Sequence, residues 1–138
     1  MKFVLCNTEE LSILSIVNQS FQQIEQTFSF LPLTIYVTIE IDYDITHDLA
    51  YVQEPSLDDE YYGLCMPTSI PNGFGILINK KIIQSQNNTI IQETLIHELL
   101  HTIALHYSKK PHGIIWKLLA IVMNIRYHYH IHAESYYE

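Results

Sequence analysis

His97 and His101 stand four residues apart, with Glu98 directly after the first, inside a stretch otherwise made of Leu, Ile and Thr from Thr94 to Ile103. Four residues are just over one helical turn. In a helix both imidazoles therefore leave the same face and can share one zinc ion. Glu98, beside the first ligand, is placed to take a proton from a water on that ion. The pattern arises by chance in roughly 3% of shuffled chains of this composition, so its context has to support it. The context does. Thr89 with Gln92 reads as a capping box, Glu93 lies in the first turn, and the helix is expected to run to about His106 or Tyr107. A core helix with two satisfied histidines is the competing reading. It leaves three ionisable groups on an otherwise Leu- and Ile-rich helix unexplained.

Zinc used in catalysis wants a third protein ligand and one open position. His106 follows His101 by five, and Tyr107 occupies the sixth position, so His106 reads as a surface residue. His112 is the better candidate: it falls between Pro111 and Gly113, where the chain can turn back toward the first pair. Trp116, one turn further, can then pack against the histidine helix. Glu134 is the rival, as a late carboxylate ligand. His128, His130 and His132 alternate in the tail. On a strand they share one face, which suits either a second metal or a polar edge backed by Tyr127, Tyr129 and Ile131. The polar edge is the preferred reading.

The 138 residues carry a formal charge of -8, unevenly distributed. No Lys or Arg lies between Lys2 and Lys80, and seven of the eight histidines lie at or beyond His97. Such acidity argues against a general nucleic-acid or anionic-membrane binder. The length suits one domain, 1–138, with a core over about 8–125 and a tail over 126–138. Cys6 and Cys65 are too few for a disulfide framework and read as reduced thiols. The N-terminal MKFVLCNTEE makes a poor signal peptide, and the apolar stretch from Gly113 to Ile125 is interrupted by Lys117 and too short to span a bilayer. A cytoplasmic protein is expected, in the host cytoplasm if the source is viral.

Leu14, Val17, Phe21, Ile24 and Phe28, with Leu11 before them, predict a long amphipathic helix capped by Asn7 or Thr8 and closed by Pro32. Leu33 to Ile41 alternates as a strand. An acidic stretch follows, with a surface loop over Pro55 to Glu60. Two short strands are expected near 61–67 and 74–79 around a turn at Pro71-Asn72-Gly73, and a last helix over Gly113 to Asn124. The tail from Arg126 reads as a possible strand.

The runs TLIHELLH (94–101) and HGIIWKLLA (112–120) together resemble the SprT-like metallopeptidases, including the Spartan group, whose signature is HExxH followed by His-Gly-x-x-aromatic on the next helix. The resemblance spans about residues 10–125. It implies an α+β, zincin-like single domain with a long N-terminal helix, a small mixed three-stranded sheet and a two-helix metal site. It also implies His97, His101 and His112 as ligands of one zinc ion and Glu98 as general base. Gly75, Ile76, Leu77 and Ile78 would form the sheet edge along which an extended substrate peptide lies. No Cys follows Cys65, so the family's four-Cys zinc ribbon has no counterpart in these residues, and Ala120 stands where a methionine is often found.

A zinc-dependent endopeptidase acting on a protein or peptide is thus the expected function. Tyr62, His106 and Tyr127 are candidate oxyanion donors. The Spartan group cuts proteins crosslinked to DNA, but a chain at -8 disfavours direct DNA binding. The alternative is a catalytically silent, zinc-stabilised module that engages a partner through its acidic half.

Overall fold

The alternation over Leu33 to Ile41 is realised as a strand: Ile35, Val37 and Ile39 enter the core, while Tyr36 and Glu40 face outward. In the computed structural model the described residues are 1–7, 12–42, 62–108, 110 and 113–132. Their elements are β1 (Lys2–Leu5), α1 (Leu14–Thr27), β2 (Thr34–Asp42), β3 (Gly63–Pro67), β4 (Gly73–Asn79), α2 (Lys80–Gln84), α3 (Asn88–Tyr107) and α4 (Ile114–Tyr127). The strands form one mixed sheet in the order β1-β2-β4-β3, with β1–β2 and β2–β4 parallel and β3–β4 antiparallel. The architecture is α+β, as expected, with a fourth strand beyond the three anticipated. Four residues are too few to display an alternating period, and tertiary contacts place β1. Phe3 stacks on Phe21 at 5.0 Å, and its N–H donates to the Glu25 carboxylate at 2.7 Å.

Helix α1 buries Val17, Phe21 and Ile24, with Ile13 and Phe28 buried just outside its ends, while Leu14 is partly exposed. Asn7 does not cap it. Instead, the Asn7 amide donates to the Ile39 carbonyl at 2.7 Å and accepts from the Ile39 N–H at 3.1 Å, acting as a side-chain continuation of β1 along β2. Helix α3 is the central element and packs on α1, α4, β3 and β4. Its residues from Thr94 to Ala104 are all buried, which explains why the sequence there is apolar around the whole circumference.

Three expectations need correction. The cap of α3 is Asn87, whose side chain accepts from the Ile90 N–H at 3.2 Å, and not Thr89. Helix α4 continues past Asn124 to Tyr127, ended by His128 in the left-handed conformation. Beyond it, residues 128–132 are no strand. Asn124 closes a pair of 2.8 Å hydrogen bonds onto the Ile131 backbone, and these draw Ile131 into the core in place of a ladder. The acidic loop over 55–60 and most of the acidic stretch lie outside the described residues. No described helix is long and apolar enough to cross a membrane.

Candidate metal centre

Helix α3 carries His97, Glu98 and His101 into the interior, where they are 0%, 0% and 2% exposed. Burying three ionisable groups costs several kcal/mol unless they are paired or bind a cation, on the order of 1–3 kcal/mol even for one neutral polar group. Their geometry supplies the reason for the burial. The two Nε2 atoms face each other at 3.3 Å, and one ligand atom from each of the three residues lies within 4.8 Å of the others. Two imidazole nitrogens bound to one tetrahedral zinc at ~2.0–2.1 Å would stand ~3.3–3.4 Å apart, so the donor pair already has the spacing that a shared ion needs. When no cation is bound, the same spacing lets one ring's N–H donate to the other's lone pair.

The indole of Trp116 holds this pair in place. It reaches from α4 to sit 4.6 Å from the His97 ring and 5.4 Å from that of His101, stacked on the latter at 23°. Its Nε1–H donates to the His97 carbonyl at 3.3 Å. The expectation that Trp116 packs against the histidine helix is met. His112 and Glu134, the rival third ligands, both lie outside the described residues.

On the other side of Glu98 runs β3. A Cβ added at Gly63 would lie 3.0 Å from the Cγ and Oε2 of Glu98 and from the Cγ2 of Thr94, so any side chain there would crowd the carboxylate. Two residues on, burial pushes the Cys65 thiol well above the usual range, and the negative charge of Glu98 adds to the effect. Neither contact was readable from local sequence, because each joins residues more than thirty positions apart. The glycine itself, standing in an otherwise bulky strand, was the only signal.

Residues 75–78 are not the sheet edge. Strand β4 pairs with β2 on one side and β3 on the other, and among the described strands the edges are β1 and β3. The longer β4 is the more apolar because it is interior, with Ile76 and Ile78 fully buried. Tyr127 is also elsewhere: its hydroxyl donates to the Gln23 carbonyl on α1 at 3.3 Å and lies 3.4 Å from Thr27 Oγ1, away from the histidine pair. Tyr62 directly precedes β3 and lines a cavity with Asn79, Ile82 and Ile90. His106 is exposed near the end of α3, edge-on to Tyr107 at 4.9 Å. His128 and His130 are exposed, and the only group of three or more metal-binding side chains among the described residues is that of His97, Glu98 and His101.

A helix-borne His/Glu/His group set against a mixed sheet is the arrangement of a metallopeptidase-type fold. The family model of the SprT-like family matches residues 17–135, and the chain belongs to that family. No curated protein matches it.

Proposed function

We propose that this chain is a zinc-dependent endopeptidase. The observation that carries the reading is the buried, convergent group of His97, His101 and Glu98 within 4.8 Å, in a member of the SprT-like family. His97 and His101 would hold the zinc together with His112, where the ion supplies Lewis-acid polarisation of the scissile carbonyl and makes a water acidic enough to attack near pH ~7. Glu98 takes the proton of the attacking water on its carboxylate and delivers it to the amine nitrogen as the C–N bond breaks. Trp116 keeps both imidazoles aimed at one point. An extended peptide adding to β3 near Gly63 would run past Glu98, so we assign substrate docking to β3 and not to residues 75–78. Trp116 supports His112 over Glu134, because it follows His112 by four residues and already packs on both histidines.

The purified chain is expected to bind one zinc ion and degrade casein, to lose both properties to a chelator, and to regain both with added zinc. Stoichiometric zinc without hydrolysis of casein or other unfolded proteins would favour the alternative of a zinc-stabilised binding module. A wild-type chain that takes up no zinc, or takes it up equally well as His97→Ala, would overturn both. His112→Ala should weaken zinc binding where Glu134→Ala leaves it unchanged.

A further inference from the structure

Helix α4 is apolar on two opposite faces. One face, Trp116, Ala120 and Met123, is buried against the protein. The other carries Ile114, Leu118, Ile121 and Ile125, which are 75%, 55%, 51% and 72% exposed. A surface helix needs one apolar face for the core, yet this one has a second that faces solvent. The exposed residues follow one another at intervals of four, three and four, the spacing of a coiled-coil seam. The patch does not stop at the helix. Leu118 and Val122 also line an apolar groove of about 250 Å³, whose far side is built by Phe30 and Tyr107. Val122, Phe30 and Tyr107 are themselves 41%, 76% and 47% exposed.

We propose that this face is a contact between two copies of this chain, with α4 of one protomer lying antiparallel to α4 of its partner. Area is the first argument. The exposed parts of these residues sum to on the order of 800 Å², the most that each copy could bury here, which is above the few hundred Å² of apolar patch usual on a monomer and reaches the ~800 Å² per partner of a standard interface. Self-complementarity is the second. About a two-fold axis between Leu119 and Ala120, Ile114 meets Ile125 and Leu118 meets Ile121, so the same stripe serves both copies as an isologous contact requires. An anionic membrane is the other surface that an apolar stripe beside Lys117 and Arg126 suggests, but the net charge of -8 opposes it.

Analytical ultracentrifugation of the full chain from about 1 to about 100 µM tests this. Wild type should sediment at twice the 16.1 kDa chain mass. Leu118→Glu and Ile121→Lys should each weaken dimerisation at least ~30-fold, as loss of a central interface anchor does. Both positions are about half exposed, so the circular dichroism spectrum should be unchanged, and any drop in melting temperature should depend on protein concentration, as loss of association requires. Mixing the two variants should restore a heterodimer, because position 118 of one faces position 121 of the other. A wild type that stays monomeric throughout, or a dimer that neither substitution weakens, would overturn the proposal. So would single variants that both lose the dimer but do not recover it on mixing, since the antiparallel register would then be wrong. A monomer that floats with phosphatidylserine-containing vesicles would assign the face to a membrane instead.

Discussion

Gly63→Ala is the smallest change that reaches the proposed base without altering it. The new methyl would lie 3.0 Å from Glu98 Cγ, Glu98 Oε2 and Thr94 Cγ2 at once. Contacts that short are tighter than nine in ten of those real Cβ atoms make, so the neighbours must give by a few tenths of an ångström. Thr94 and Glu98 lie one turn apart on a helix buried on all sides, which leaves the carboxylate and the strand as the parts that give way. A misplacement of ~1 Å in a catalytic group costs on the order of 100-fold, so a few tenths of an ångström should lower kcat about 3- to 10-fold, equivalent to ~0.7–1.4 kcal/mol of activation free energy. Overpacking should also cost ~1–3 kcal/mol of stability, short of unfolding a domain of ordinary stability. The assay is steady-state cleavage of a casein-derived fluorogenic peptide, with zinc measured on the same samples. Zinc content should stay at one per chain while kcat falls. A variant with wild-type kcat refutes the reasoning. One that loses zinc does so as well, because the strand would then support the metal ligands and not the carboxylate.

Trp116→Ala removes a fully buried indole and should cost ~3–5 kcal/mol in a denaturant melt, together with a measurable loss of zinc affinity, whereas Trp116→Phe should lose much less. Asn124→Ala breaks both hydrogen bonds to the Ile131 backbone, and urea unfolding should show about 1–2 kcal/mol of lost stability. Of the two free thiols, Cys6 is exposed and should be readily alkylated by iodoacetamide at pH ~8. Cys65 should lag well behind it, because a raised pKa leaves less thiolate at any given pH. Removing the charge in Glu98→Gln should speed the Cys65 reaction, which mass spectrometry of the alkylated peptides would detect.

The parts of this molecule that could be read from sequence are those written in local period. The α1 stripe, the alternation of β2, the β3–β4 hairpin around Pro71-Asn72-Gly73 and the length of α3 all follow from spacing within one element. The site's core was legible for the same reason, since His97, Glu98 and His101 lie within one and a third turns of a single helix. What the sequence hid depends on pairing between distant segments. β1 is a strand because Phe3 finds Phe21 and Glu25, not because four residues show a pattern. The family resemblance implies an exposed edge at residues 75–78, yet their register joins β2 on one side and β3 on the other. The tail histidines alternate like a strand, but the Asn124 side chain takes up the Ile131 backbone groups that a partner strand would need.

In the proposed reaction Glu98 moves a proton within a site whose metal is held by its neighbours. Glu98→Gln preserves size and helix while removing the basic carboxylate. Zinc content and casein cleavage measured together on this variant test the claim most directly. The account predicts one zinc per chain, as in the wild type, with cleavage reduced at least ~100-fold, the scale of a lost general base. Zinc retained with cleavage near the wild-type rate would contradict it.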